Sequence, residues 1–145
     1  MRVLISRVNN ASVKVNNKIV GKIDKGLLVL SCYTANDSIK EIEYIKKKVL
    51  NLRIFEDENN IMNKSILDVN GKILSISQFT LYADTKKGNR PSYIKALPSN
   101  ESKILYDLFN EKLKEDIEVE TGIFGEDMKI DVAMDGPVNI IIDSK

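Results

Sequence analysis

The segment Ser77-Gln78-Phe79-Thr80 sets three hydrogen-bonding side chains into the most strand-like run of the chain, among Ile73, Leu74, Ile76 and Leu81. In a strand, Ser77 and Phe79 face one way while Gln78 and Thr80 face the other. Two readings stay open: these groups bond to neighbouring strands, or they face a ligand. The chain has no histidine and one cysteine, Cys32. That excludes imidazole bases, Ser-His and Cys-His pairs, and zinc held by imidazoles or a thiolate cluster. Any enzymatic chemistry must then use hydroxyls, carboxylates, lysine, backbone groups or the substrate itself. A second unusual segment, Asp135-Gly136-Pro137-Val138, lies between two strand-like stretches. Its proline lacks a donor, and its glycine admits close approach by another backbone or a ligand.

Other reactive or charged residues take plainer readings. Cys32 sits in an apolar run and reads as core rather than as a reactive thiol. Glu56, Asp57 and Glu58 read as a solvated loop, and Asp131, Asp135 and Asp143 have no ligand spacing, so neither a metal nor a cofactor is expected. Lys46, Lys47 and Lys48 fall late in a predicted helix, where cations suit the negative end of its dipole, in preference to an RNA patch. Arg90, before Pro91, is either a phosphate contact or a turn residue.

The elements that must position these residues can be read along 145 residues, enough for one domain with a genuine core. Composition is that of a soluble globular protein, 43% hydrophobic against 30% charged. No apolar run approaches the roughly 20 residues of a membrane span, and the first residues do not resemble a secretory signal. With a lone cysteine, this points to a reducing, cytoplasmic setting. A net charge of +1 gives no global attraction to polyanions, so any must be held locally, as at Lys86, Lys87 and Arg90.

Residues 2–8 and 11–15 alternate as strands, with a hairpin turn expected at Asn9-Asn10 and a second turn at Val15-Asn16-Asn17-Lys18, before Ile19 and Val20. Residues 26–33, Gly-Leu-Leu-Val-Leu-Ser-Cys-Tyr, read as a central strand covered on both faces. Ser38 and Glu41 have capping-box spacing before a helix whose apolar face is Ile39, Ile42, Ile45, Val49 and Leu50. Residues 55–65 read as a polar loop, and Asn70-Gly71 as a type I′ turn joining two strands of a hairpin. A second helix starts at Ser99 or Asn100, with Ile104, Leu105, Leu108, Phe109 and Leu113 as its stripe. Strands are expected at 117–120, 128–133 and 137–142. The order is that of a single sheet-based α/β domain over residues 1–145 with helices packed on the sheet.

The segments "SQFTL", "KGNRPS", "TGIFGEDM" and "DGPV", in that order after "MRVLISRVNNASVKV" and "GKIDKGLLVL", resemble the D-aminoacyl-tRNA deacylase family essentially end to end. The resemblance implies a three-layer, barrel-like mixed sheet with two main helices, acting as a homodimer with active sites at the subunit interface. It implies hydrolysis of the ester between a D-amino acid, or mischarged glycine, and the 3′-terminal adenosine of tRNA. Carried over by position, Ser77, Gln78, Phe79 and Thr80 line the pocket around the ester. Gly136 and Pro137 match the family's Gly-cis-Pro element, which enters the partner's pocket, and Arg7 matches the arginine that braces it. Phe124 and Met128 lie beside the adenine. The chain departs from the usual pattern at Met134 and Asn139, where Asn and Thr are common, and at Ser6, where Gln is.

The chemistry is coherent without histidine. An activated ester needs an oriented hydroxyl or water and donors for the oxyanion, which the amides of residues 79 and 80 can supply. The vicinal 2′-hydroxyl of the ribose can assist, with Thr80 as a covalent nucleophile the competing mechanism. A rigid Gly136-Pro137 turn would accept the substrate ammonium on its carbonyls and leave no room for an L side chain, a gate that glycine passes. The rival from another class is a non-catalytic module that binds an RNA end or a small ligand.

Overall fold

Arg2–Val15 forms one unbroken strand, β1, rather than two arms of a hairpin. The computed structural model describes residues 1–145. The turn expected at Asn9-Asn10 does not form, whereas the one expected at residues 15–18 does: Asn16 (φ 50°) and Asn17 (φ 62°) have left-handed backbone and join β1 to β2, Lys18–Ile23. Both Asn-Asn pairs suit that turn locally. Continuing through the first lets residues 2–8 pair with β3, Gly26–Cys32, while residues 11–15 pair with β2, both antiparallel. A turn at residue 9 would forfeit one ladder.

β3 is covered on both faces, as its sequence predicts. Leu27 and Val29 join a core shared with the helices, and Leu28 packs with Val8, Val13, Ile23, Leu74 and Ile76 in a second core on the opposite face. Helix α1, Ile39–Asn51, opens on the predicted capping box, with Ser38 N–H and Glu41 Oε2 2.9 Å apart. Ile42, Ile45, Val49 and Leu50 are buried, but Ile39, in the first turn, is exposed. Lys46 is not solvated as expected; it is nearly buried, with Nζ 2.7 Å from both Glu115 and Asp116. The stretch read as a polar loop contains a small hairpin, β4 (Phe55–Glu56) with β5 (Met62–Lys64).

The hairpin expected about Asn70-Gly71 does not form. Residues 65–71 make one helical turn: Ser65 and Asp68 cap it reciprocally, and Asn70, at φ 50°, ends it, with Gly71 N–H returning to the Ile66 carbonyl at 3.0 Å. Ser-x-x-Asp is itself a helix-start signal and competes here with the hairpin signal of Asn-Gly. The strand that follows, β6 (Lys72–Ser77), therefore pairs with β3 in parallel.

Helix α2, Ser99–Lys114, buries Tyr106, Phe109, Asn110 and Leu113; Ile104, placed on its stripe by periodicity, is exposed. It leads to β7, Val119–Thr121, parallel to β6. The last strand, β8 (Lys129–Asp143), is continuous in name where two strands were expected, and it pairs with β1 along most of its length. The sheet runs β2-β1-β3-β6-β7 with β8 also on β1. It curls until β2 meets β7: a Cβ on Gly21 would lie 2.7 Å from the Thr121 carbonyl. The result is one α/β domain, a nearly closed barrel-like mixed sheet with two helices.

Candidate active site

β3, β6 and β7 run parallel, so their C-terminal ends, Ser31, Ser77 and Thr121, open on the same side. Ligand sites of parallel sheets lie at such ends. The register sets Ser31 beside Ser77, and Ser75 beside Thr121. The Gln78 amide bonds the Ser31 carbonyl at 2.7 Å, and Gly122 N–H bonds that of Ser75 at 3.3 Å.

Beyond Gln78 the chain leaves the sheet. Phe79–Tyr82 is a short 3-10 turn, so the alternation of faces expected through Thr80 stops at Ser77. The change has a chemical consequence. The first amides of such a turn, those of Phe79 and Thr80, have no acceptor within it, whereas Leu81 N–H already bonds the Gln78 carbonyl. Gln78 Nε2 donates to Thr80 Oγ1 at 2.6 Å, so the two polar side chains satisfy each other in part. From behind, the Cys32 thiol lies 3.3 Å from the Phe79 carbonyl, and Arg2 reaches the Leu81 carbonyl at 3.1 Å while its guanidinium grips Asp143. Burial raises the Cys32 thiol to about 11, which keeps it protonated and inert, in agreement with the core reading.

A cleft of about 660 Å³ lies over this turn. Ser77, Gln78 and Phe79 form part of its wall, and Phe124 and Met128 form another part. Residues 77–79 and 124–128, nearly 50 positions apart in the chain, thus share one cavity. Thr80 is not on the wall. Ser31, Tyr93, Leu97, Glu126 and Asp127 are, and sequence reasoning missed them. Tyr93, an aromatic residue directly after the Gly88-Asn89-Arg90-Pro91 turn, is the one whose sequence context gave a signal. Phe124 is backed by Tyr106, ring centroids 5.6 Å apart, and the Tyr106 hydroxyl bonds the Ser75 carbonyl at 2.8 Å. A Cβ on Gly122 would collide with Met128 Sδ and stand 2.9 Å from Ile76 Cδ1, so glycine leaves the space in which Met128 lies against β6.

Gly136, Pro137 and Arg7 stand elsewhere on the same chain. On β1 the single residue Arg7 faces residues 135 to 138 of β8, between the Ser6–Asn139 and Val8–Met134 pairs. The extra residues bulge outward, with Gly136 (φ 118°) and Pro137 exposed and the bond between them cis. The Arg7 side chain is 5% exposed beneath them; it donates to the Ile54 carbonyl at 2.7 Å, and its Nε lies 3.0 Å from Asp135 without the N–H pointing at that oxygen. A Cβ on Gly136 would stand 3.2 Å from Arg7 Nη2. The residues that depart from the family pattern touch one another here: Ser6 Oγ and Asn139 Oδ1 are 2.5 Å apart, and Asn139 Nδ2 is 4.0 Å from Met134 Sδ. They flank the bulge on both sides.

A parallel-strand cleft with free backbone amides, hydroxyl and carboxamide groups and an aromatic wall, built without histidine, defines a site whose available donors are mainly backbone amides. Comparison with known proteins narrows that class. Residues 4–143 match the family model described as D-Tyr-tRNA(Tyr) deacylase. The D-aminoacyl-tRNA deacylase of Clostridium perfringens (strain SM101 / Type A) is 53% identical over 100% of this chain and 98% of that protein. That of Clostridium novyi (strain NT) is 51% identical over the same shares. Among solved structures, a c-Myc DNA Unwinding Element Binding Protein superposes with a TM-score of 0.95 at 36% identity, covering 100% of this chain and 99% of that one. A probable eukaryotic D-amino acid tRNA deacylase, at 17% identity, shares the fold with a TM-score of 0.82 over 97% of each chain. The chain belongs to the D-aminoacyl-tRNA deacylase family.

Proposed function

We infer that the protein hydrolyses the ester joining a D-amino acid, or mischarged glycine, to the 3′-terminal adenosine of tRNA. The observation that carries this is identity of 50% or more to deacylases over the whole chain, with Ser77–Phe79 and Phe124–Met128 around one cleft. Adenine lies against Phe124 and Met128, and the ester carbonyl points its oxygen at the amides of Phe79 and Thr80. Two such donors stabilise the oxyanion without a charged group. The ribose 2′-hydroxyl, held beside the ester, assists attack by water. Thr80 Oγ1 faces the carboxamide of Gln78, which is no base, and it lies off the cleft wall; both points favour the substrate-assisted route over a covalent one.

The Gly136-Pro137 turn sorts the substrate's two hands. It is exposed and absent from the wall of its own chain's cleft, which favours its serving the cleft of a second copy. A homodimer is supported by β8, which carries the exposed apolar residues Val132, Met134 and Ile141 on either side of the turn. Braced by Arg7, the turn's carbonyls take the substrate ammonium and its bulk excludes an L side chain. The molecule thus works as a proofreading enzyme on the aminoacyl end of tRNA.

The structural neighbour described as a DNA-element-binding protein favours a second reading, a nucleic-acid-binding module without turnover. Incubation with D-aminoacyl-tRNA and its L counterpart, following loss of the charged amino acid, separates the two. Cleavage of the D form alone is expected. Cleavage of neither favours the binding module, and cleavage of both removes the chiral gate.

A further inference from the structure

Phe79 and Tyr93 form an aromatic pair at the cleft that is exposed in the single chain. Their centroids are 5.0 Å apart at 75°, Phe79 is 56% exposed and Tyr93 39%. An edge-to-face pair leaves ring faces open, and an open ring face in water is a stacking surface for any base. The pair is held firmly. The Tyr33 carbonyl accepts from Leu97 N–H at 2.9 Å, Thr34 Oγ1 donates to the Lys95 carbonyl at 2.6 Å, and Ala96 N–H returns to the Tyr93 carbonyl at 2.9 Å.

Directly before Tyr93 the chain makes an arch, closed at its base by paired backbone bonds between Asp84 and Ser92, 2.8 and 2.9 Å. The arch carries Lys86, Lys87 and Arg90, all exposed and none within ion-pair distance of a carboxylate. Its one acid, Asp84, is occupied by the Lys86 amide at 3.0 Å and by Lys95 at 3.6 Å. Glu126 and Asp127, by contrast, line the cleft from the 122–128 segment. A polyanion leaving the cleft is therefore repelled on the Glu126–Asp127 side and drawn to the arch. With a net charge of +1 overall, three unpaired cations in five residues are a local device.

We propose that the Phe79–Tyr93 pair and the 84–92 arch form a second nucleotide subsite, which stacks a base preceding the terminal adenosine while Lys86, Lys87 and Arg90 take the adjoining phosphates. The proposal rests on the deacylase reading for its substrate, a single-stranded 3′ end. It gives the enzyme a way to prefer an RNA end over a free aminoacyl-nucleoside with no base-specific contacts.

The test compares kcat/KM for a D-aminoacyl ester of adenosine with that for the same ester of the trinucleotide CCA. The trinucleotide is expected to be favoured by about tenfold or more, the scale of one base stacked on an aromatic ring. Tyr93→Leu keeps an apolar partner for Phe79 but removes the ring face, and it should bring the ratio toward one, while Tyr93→Phe keeps it. The triple variant K86A/K87A/R90A should lower the ratio and flatten its dependence on salt. An unchanged ratio in both, or equal losses on both esters, overturns the subsite. Should the wild type cleave neither ester, the deacylase reading fails on its own, and binding of uncharged CCA against adenosine decides: a CCA preference lost in Tyr93→Leu upholds the subsite, and no preference overturns it.

Discussion

At Thr80 the hydroxyl and the amide have separate duties. The hydroxyl oxygen accepts from Gln78 Nε2, while the amide, second in the 3-10 turn, is free to donate. If the amide is the working group, Thr80→Ala removes one partly exposed hydrogen bond, about 0.5–1.5 kcal/mol, and leaves the donor in place. Single-turnover deacylation should slow by less than about tenfold. Loss of about a thousandfold or more with binding intact would make the hydroxyl the nucleophile. At this scale the sequence was informative about residue type and silent about geometry. It singled out Ser77 to Thr80, Phe124, Met128 and the Gly-Pro turn, but it placed Thr80 on a strand face. Nothing in "SQFTL" shows that the strand ends at Ser77, because Phe, Thr, Leu and Tyr are all good strand residues. The polar floor residue Ser31 was hidden for the opposite reason, inside an apolar run that reads as core.

Between elements, the errors and successes have one cause: short signals compete, and tertiary pairing chooses. Ser38–Glu41 faced no rival and was read correctly. The turn at residues 15–18 formed as expected, but Asn9-Asn10 gave way to strand, and Asn70-Gly71 to the Ser65–Asp68 cap, because β1 must continue to reach β2 and β6 must run parallel to β3. Lys46 shows the same limit. From sequence it is one of three lysines ending α1, yet it alone turns inward to meet the end of α2, where it holds Glu115 and Asp116. Glu115 is bound first by Lys112 and then by Lys46, each at 2.7 Å, and its carboxyl is lowered from 4.5 to about 2. A lowered folded value means that this contribution to stability is full above the unfolded value and is lost as protons bind on falling pH. Thermal melts of the wild type should therefore lose stability between about pH 4.5 and 2 in part through this group. Glu115→Gln should be less stable than wild type at pH 7, and the gap should close toward pH 2. A gap that stays constant across that range would show that the α1–α2 link does not depend on the charge of Glu115.

The whole molecule carries a cleft at one place and an exposed turn at another, and the two do not meet within one chain. Gly136 and Pro137 are exposed on β8, whereas the cleft lies at the ends of β3, β6 and β7. If each copy supplies its turn to the other, the two parts can be damaged separately and restored by mixing. Gly136→Ala disables the turn: at φ 118° its Cβ would meet Val138 Cγ2 at 2.8 Å and Arg7 Nη2 at 3.2 Å, on an exposed bulge where the core is untouched. Ala96→Trp disables the cleft by filling it from a loop on its wall. Each variant alone should be inactive toward D-aminoacyl-tRNA. In a two-fold dimer, free exchange of equal amounts gives half heterodimers, each with one site that combines a sound cleft with a sound turn. Activity should then recover to about a quarter of the wild-type level. A mixture that exchanges subunits, shown by mass, yet stays inactive would place turn and cleft in separate roles and end the cross-subunit account of chiral selection.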